Sequence, residues 1–183
     1  MPALPGIAHL LRLPATDSTQ TVARFLADQG AADRTLVWAD RQTGGRGRLK
    51  RRWESKPGGL YASLILRPSL PAARLAEVSL LTGDAAAVAL RRHAGVETAV
   101  KPPNDVYAAA PDGRGRKICG ILCEAAGGER RLDWLIVGIG VNVNNAVSLP
   151  TASSLKALTG KSWEVEAVLR AVLGEFWRRY DAL

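Results

Sequence analysis

The apolar positions along the chain recur in two patterns, one typical of helices and the other of strands. Helical spacing that begins at a Ser or Asp cap and stops at Gly30 predicts a helix over residues 17–29. The predicted apolar face of this helix is Val22, Phe25 and Leu26. A second helix is predicted over 71–93, which is rich in Ala and Leu and free of internal proline. Two further helices are predicted near 154–158 and over 164–180.

Short apolar runs between these helices predict strands at 35–39, 59–66, 96–101, 105–109, 117–125 and 132–143. Residues 132–143 are almost continuously apolar, which is typical of a central strand. The turn-rich segment PDGRGR joins two of the strands and predicts a β-hairpin. Hairpins mixed with helices predict one α/β (α+β) domain over residues 1–183, built on a mixed β-sheet flanked by helices.

The composition excludes several classes of protein. The chain has 183 residues, which is the length of a single domain, and 47% of them are hydrophobic, which excludes a disordered chain. No apolar run approaches the ~18–20 residues that cross a bilayer, and the first residues lack the pattern of a signal peptide. The two cysteines, Cys119 and Cys123, exclude a disulfide scaffold and a four-thiolate zinc site. We therefore expect a cytoplasmic protein with no membrane contact.

The charged residues are unevenly distributed. The chain holds 25 Lys and Arg residues against 17 Asp and Glu residues, a formal net charge of +8. Residues 41–56, RQTGGRGRLKRRWESK, contain many of the basic residues and one acidic residue. A basic chain favours anionic partners such as nucleic acid, phosphates or an acidic protein. Glycines let a backbone approach a phosphate, so this segment could form an active-site loop. The alternatives are a solvated basic loop and an RGG-like nucleic-acid contact.

Two other motifs place polar groups within or beside strands. KPPND, residues 101–105, either binds phosphate and a metal ion or forms only a turn. In GIGVNVN, residues 138–144, glycines inside a strand indicate close approach of a ligand or of another backbone. Asn142 needs a hydrogen-bonding partner, which is either a core group or a ligand.

The motif KICGILCE, residues 117–124, is a strand with a lysine at its start. Strict alternation gives this strand one face with Lys117, Cys119, Ile121 and Cys123, and a second face with Ile118, Gly120, Leu122 and Glu124. Lys117 is then either an activated charge in a pocket or a strand-end lysine that reaches water. The two cysteines lack a His partner nearby and are interpreted as small core residues.

Taken in chain order, these segments resemble the catalytic domain of biotin protein ligase, the biotin–acetyl-CoA-carboxylase ligase family. The likeness covers about residues 14–145. The matching pieces are DSTQ at 17–20, Gln42 with GRGR at 45–48, Trp53, GGLYASL at 58–64, KPPND at 101–105, KICGILCE at 117–124 and GIGVNV at 138–143. The resemblance implies the fold shared by biotin and lipoate ligases and the catalytic core of class II aminoacyl-tRNA synthetases.

The resemblance also implies a two-step reaction. The carboxylate of biotin attacks the α-phosphate of ATP to give biotinyl-5′-AMP and pyrophosphate. The mixed anhydride then acylates one lysine of the biotin carboxyl carrier protein of acetyl-CoA carboxylase. ATP with Mg²⁺ and biotin are substrates, and no tightly bound prosthetic group is expected. Arginines would screen the two anionic reactants, and a glycine-rich loop would close over the intermediate.

Site residues follow from the same resemblance, position by position. The expected catalytic residues are Lys117, Arg46 and Arg48. The expected biotin-binding residues are Ser18, Thr19, Gln20, Gln42, Arg46, Gly47, Arg48, Lys117 and Gly120. The expected ATP or adenylate-binding residues are Arg51, Trp53, Lys101, Asn104 and Asn142, and Asp105 is the candidate Mg²⁺ ligand.

The chain departs from the family pattern at two positions. Pro102 stands where the family often has Trp, which alters packing at the pocket, and Lys50 stands where it often has Gly, which stiffens the loop and adds charge. A DNA-binding helix-turn-helix and the small C-terminal β-barrel of the family are not expected, so we expect no specific DNA binding. A lipoate or octanoate ligase and a basic nucleic-acid-binding module remain the alternatives, and a homodimer remains open.

Overall fold

The computed structural model, which describes residues 3–183, contains one mixed seven-stranded sheet within that range. Its strands are β1 (His9–Leu13), β2 (Thr35–Ala39), β3 (Leu60–Leu66), β4 (Thr98–Lys101), β5 (Asp105–Ala109), β6 (Gly115–Gly127) and β7 (Leu132–Val141). Their spatial order is β1-β2-β3-β7-β6-β5-β4, with β1 parallel to β2 and every other pair antiparallel. The prediction that residues 132–143 form a central strand is confirmed, since β7 is the fourth strand of seven.

The helices of the described chain are α1 (Thr19–Asp28), α2 (Leu75–Ala94), α3 (Leu155–Thr159) and α4 (Val165–Tyr180). Helices α2 and α4 pack on each other and cover one face of the sheet. Helix α1 packs on the opposite face, over β2, β3 and β7. The predicted mixed sheet flanked by helices is therefore confirmed.

Alternation along the central strands divides their residues between the two faces. On β7, Leu135, Val137 and Ile139 belong to the core under α2 and α4, whereas Ile136 packs under α1. The next positions on the α1 face are Gly138 and Gly140, which carry no side chain. The sheet beyond the first turn of α1 is therefore recessed, and the candidate site lies there.

Two details of the predicted elements were wrong. Strand β1 was not predicted, although it pairs in parallel with β2 along its whole length. Phe25 was assigned to the apolar face of the first helix, but it is 64% exposed. The face of α1 that is fully buried carries Ala23 and Ala27 together with the polar Thr19 and Gln20, because the first turn of the helix lies over the recessed part of the sheet.

Candidate active site

A cavity of about 540 Å³ lies on this recessed surface. The first turn of α1 closes one end of it, the basic loop at 41–56 covers it, and the turn between β4 and β5 forms part of its rim. Every site residue expected from the sequence lines this cavity: Ser18, Thr19, Gln20, Gln42, Arg46, Gly47, Arg48, Arg51, Trp53, Lys101, Asn104, Asp105, Lys117, Gly120 and Asn142. The structure thus brings these residues together from distant parts of the chain.

The inner end of the cavity is polar because of the way α1 begins. Ser18 occupies the N-cap position, yet its hydroxyl makes no capping hydrogen bond. The amide of Thr19 instead donates to Gln42 Oε1 at 2.7 Å, so a side chain from the loop after β2 caps the helix. Within residues 3–183, the buried Ser18 Oγ has no hydrogen-bond partner. A buried hydroxyl left unpaired beside a cavity is available to a ligand.

The floor of the cavity is made of glycines on neighbouring strands. Gly140 on β7 is paired with Gly120 on β6. The indole of Trp53 lies on this pair, since a Cβ added at Gly140 or Gly120 would lie 2.8 Å or 2.9 Å from it. Gly138, one step along β7, is covered by Gln20, whose Oε1 would be 2.5 Å from an added Cβ. These positions require glycine, because side chains from other segments rest directly on the backbone and leave no space for a Cβ.

Lys117 lies on the cavity face because β6 carries a bulge. The pairing of β5 with β6 shifts between Val106 and Tyr107, so that Lys117 and Cys119 face adjacent residues of β5. The strict alternation expected for KICGILCE is therefore wrong at its first two residues: Ile118 is buried in the core with Cys119, and Lys117 turns to the cavity with Gly120.

The ammonium group of Lys117 has two neighbours in the cavity. It pairs with the Asp105 carboxylate at 2.5 Å and lies 5.3 Å from the centroid of the Trp53 ring. The backbone of Lys117 is held separately, because its amide donates to Thr151 and its carbonyl accepts from Ser153. Lys117 is thus a fixed positive charge at the cavity rather than a lysine that extends to bulk water.

The basic loop is held over the cavity by side-chain contacts. Arg46 makes a two-pronged ion pair with Glu124 of β6, with N–O distances of 2.6 and 3.1 Å. Arg48 donates to Asn104 Oδ1 at 3.3 Å, and the Asn104 amide donates to the carbonyl of Ile121. These bonds join the loop to the KPPND turn, so that this turn is a wall of the cavity as well as a connection between strands.

At the far end of the loop, Glu54 is joined to the segment that follows β7. Its carboxylate pairs with Lys56 and accepts hydrogen bonds from the amide and hydroxyl of Ser148. The hydrogen bond from Lys56, followed by those from Ser148, lowers the pKa of Glu54 to about 2. Glu54 is therefore ionised throughout the neutral range and serves as an anchor for the loop.

Several expected residues have partners inside the protein. Asn142 Oδ1 accepts from Asn145 at 3.0 Å, so Asn142 has a core partner and also lines the cavity. The Lys101 ammonium lies 5.4 Å from the ring centroid of Tyr107. Burial raises the pKa of the Cys119 thiol to about 12, which agrees with its interpretation as a core residue.

Some residues of the cavity were not expected from the sequence. Ser63 and Tyr61 lie on the cavity face of β3, and Val147, Leu149, Thr151 and Ala152 come from the segment after β7. A serine inside the apolar run GLYASLIL was a visible signal for Ser63. The later segment carried no such signal, because its position depends on backbone bonds to Lys117.

The described residues include no group of three or more His, Cys, Asp or Glu side chains that could hold a metal ion. In the same part of the chain, no helix has the length and hydropathy needed to span a membrane.

The cavity joins a hydrogen-bonding inner end to a rim that carries arginine and lysine, on a mixed sheet flanked by helices. Residues 13–142 match the model of the Biotin/lipoate A/B protein ligase family, and the chain belongs to that family.

Named relatives agree with this assignment. The bifunctional ligase/repressor BirA of Bacillus subtilis is 37% identical over 179 residues, which cover 94% of this chain and 54% of BirA. The biotin–[acetyl-CoA-carboxylase] ligase of Paracoccus denitrificans is 37% identical over 136 residues, 73% of this chain and 54% of that protein. The chain thus spans about half the length of these curated relatives.

Solved structures show the same fold. The biotin protein ligase of Aquifex aeolicus in complex with biotin and ATP superposes with a TM-score of 0.81 at 35% identity, covering 96% of this chain and 71% of that one. The biotin protein ligase of Leishmania major in complex with biotinyl-5-AMP gives a TM-score of 0.77 at 25% identity, over 93% of this chain and 74% of that one.

Proposed function

We propose that this chain is the catalytic part of an ATP-dependent biotin protein ligase. The observation that carries the proposal is the polarity of the cavity: an unpaired Ser18 hydroxyl lies at its inner end and the Lys117 ammonium lies along its floor. Biotin has a matching shape, with a cyclic urea that forms hydrogen bonds at one end and a carboxylate at the other. Membership of the ligase family supports the same substrate.

In this proposal the ring system of biotin binds at the inner end of the cavity. Ser18 would supply its free hydroxyl to the urea, and Gln42 would keep the first turn of α1 in place by capping Thr19. Trp53 and Gln20, which rest on Gly140 and Gly138 of the glycine floor, would then flank the ring. The aliphatic side chain of biotin, which ends in the carboxylate, would then extend towards Lys117 and the arginines of the loop.

The first chemical step joins two anionic groups. A carboxylate oxygen of biotin attacks the α-phosphorus of ATP, a P–O bond forms, and the P–O bond to the departing pyrophosphate breaks. Lys117, Arg46 and Arg48 would neutralise the charge that builds up on the phosphate oxygens. Mg²⁺ would enter as part of the ATP substrate, for which a single carboxylate, Asp105, matches the usual pattern of one or two protein ligands plus phosphate oxygens.

The second step transfers the acyl group. The amine of one lysine on a biotin carboxyl carrier protein attacks the acyl carbon, the C–O bond to AMP breaks, and AMP leaves while the amine loses a proton. The substrates remain biotin and Mg·ATP, with no resident prosthetic group. We propose the cytoplasm as the compartment, because the two cysteines are unpaired thiols.

A lipoate or octanoate ligase is the main alternative, and the inner end of the cavity argues against it. A hydrocarbon or dithiolane head would leave the buried hydroxyl of Ser18 unpaired, whereas a urea satisfies it. Sites built to hydrogen-bond a substrate reject analogues that lack the bonding group by large factors, roughly 10⁴ in favourable cases.

Exchange of labelled pyrophosphate into ATP tests the proposal directly. Purified chain with Mg·ATP should show exchange that depends on added biotin and not on lipoate or octanoate. Exchange that depends on lipoate, or no exchange with any of the three acids, would contradict it.

A further inference from the structure

Ser63 is a buried polar residue for which neither the sequence pattern nor the proposed chemistry supplies a role. It lies on β3, is 1% exposed and faces the cavity. It is paired across the sheet with Gly138, and Gly138 is paired with Leu122 on the next strand. Ser63, Gly138 and Leu122 therefore form one row across three strands, at the inner end of the cavity floor.

The carboxamide of Gln20 lies along this row in a fixed orientation. Its Nε2 donates to the carbonyl of Leu122, which can only accept. Gln20 Oε1 must then point back towards β3, where the Ser63 hydroxyl lies 2.9 Å away as a donor. The absence of a side chain at Gly138 leaves the space that the carboxamide crosses.

The same hydroxyl lies 3.0 Å from Thr19 Oγ1. The Thr19 hydroxyl donates to Gln42 Oε1 at 3.1 Å, which leaves its oxygen able to accept. Because the Ser63 hydroxyl has a single proton, its donation is shared between Gln20 Oε1 and Thr19 Oγ1. Gln42 Nε2 in turn donates to Ser55 Oγ at 2.7 Å. Ser63 is thus the point at which the sheet is joined to the side chains of both Thr19 and Gln20.

We propose that Ser63 is a positioning residue for the head group of the acid substrate. This inference rests on the proposed function and adds to it the residue that orders the inner end of the cavity. Without the Ser63 hydroxyl, Gln20 Oε1 and Thr19 Oγ1 lose their common donor, and both side chains gain alternative rotamers. The side chains around Ser18 then no longer present a single arrangement to the hydrogen-bonding ring of the substrate.

The role predicts an effect confined to one substrate. The Ser63→Ala variant should raise the Kd for biotin, measured by calorimetry, and the KM for biotin in pyrophosphate exchange by 10-fold or more. The KM for Mg·ATP and the kcat at saturating biotin should remain within 3-fold of the wild type, because the phosphate-binding arginines lie at the other end of the cavity. Ser63→Cys, which keeps the volume and a weak donor, should give an intermediate value.

Thr82→Val is the matched control. Thr82 is fully buried in α2, its hydroxyl donates to the carbonyl of Val78, and it does not line the cavity. This variant also loses one buried hydroxyl, so it should share any general loss of thermal stability while keeping the wild-type KM for biotin.

The outcomes separate this inference from the proposed function. If the wild type neither binds biotin nor shows biotin-dependent exchange, the proposed function is wrong and the inference falls with it. If the wild type is active and folded Ser63→Ala, or Ser63→Cys where alanine prevents folding, keeps its KM for biotin, the inference alone is wrong. An equal rise in the KM for both substrates would show a general structural role and would also overturn it.

Discussion

Lys117 places a positive charge in this cavity. Its side chain is 27% exposed, and its ammonium pairs with Asp105 and lies near the ring of Trp53. A substrate carboxylate that entered the cavity would compete with Asp105 for the same ammonium. Asp105 would then be released at the moment when Mg·ATP requires a carboxylate ligand. The ion pair therefore couples the binding of the two substrates in the proposed reaction.

We expect Lys117→Ala to lower the rate of biotin adenylation by at least ~10²-fold, as is usual when one preorganised electrostatic stabiliser is lost. Folding should be retained, because the bonds of Lys117 to residues 151 and 153 involve only its backbone. Rates of pyrophosphate exchange and a melting curve measure the two effects. Lys161→Ala, at an exposed lysine that does not line the cavity, is the control and should resemble the wild type. Near-normal exchange in Lys117→Ala would show that Lys117 has no chemical role and is only a lysine at the end of a strand.

Two residues show how far sequence reasoning reaches at this scale. Lys117 lines the cavity, but strict alternation assigned it to the wrong face of β6, because the bulge depends on pairing with β5 and cannot be read from the sequence of the strand. Ser18 was expected as a helix cap, and it does occupy that position. Its hydroxyl is nevertheless unpaired, because Gln42, distant in sequence, supplies the cap instead.

The basic loop is the element on which the proposed chemistry most depends. Leu49 and Lys50, at its tip, both have left-handed backbone conformations, with φ of 54° and 60°. Such conformations cost non-glycine residues of order 1 kcal/mol or more each. At Lys50, where the family often has glycine, this strain opposes the closed arrangement. The ion pair between Arg46 and Glu124 acts in the opposite sense and holds the loop against β6.

The rate of trypsin cleavage within the basic loop should measure how tightly the loop is held over the cavity. Cleavage within residues 43–52 should slow when biotin and Mg·ATP are added together, because the adenylate phosphate pairs with the loop arginines. Glu124→Gln, which removes the charge that holds Arg46, should speed cleavage several-fold without ligand. Cleavage at Arg130 and Arg131, in the exposed turn between β6 and β7, is the internal reference and should not change. Equal loop cleavage with and without ligands would argue against closure over the intermediate.

Most elements could be predicted, and the exceptions have physical causes. Helix α2 is long, rich in Ala and Leu and free of internal proline, and β7 is an almost continuous apolar run, so both can be recognised from the sequence alone. Strand β1 carries little, because its residues lie at the edge of the sheet and most are exposed. Phe25 followed the helical spacing of α1, but the buried stripe of this helix is centred on Ala23 and Ala27, with Val22 and Leu26 at its edge, so Phe25 faces solvent.

At the scale of the whole molecule, the excess of positive charge raises the alternative of nucleic-acid binding. Four of the seven basic residues in the loop, Arg46, Arg48, Arg51 and Arg52, line the cavity. Arg46 and Lys117 are already paired with Glu124 and Asp105. The two anionic reactants of the proposed reaction would account for this charge. They would also account for the unpaired hydroxyl of Ser18, which a nucleic-acid contact leaves without a role.

For this chain we therefore predict only weak DNA binding that is independent of sequence. Base-specific recognition requires an element that enters a groove and side chains that reach base edges. The described residues ahead of α1 instead form a turn and β1, and β1 is committed to the sheet. Binding that depends on phosphate contacts alone should fall steeply between about 50 and 200 mM salt. A gel-shift titration with operator-like and scrambled duplexes at these two salt concentrations measures both properties, and Arg51→Ala with Arg52→Ala should weaken binding to both duplexes equally. Tight, salt-resistant discrimination between the duplexes would mean that the basic loop, or another surface of this domain, reads bases directly, and that the charge is not explained by the reactants alone.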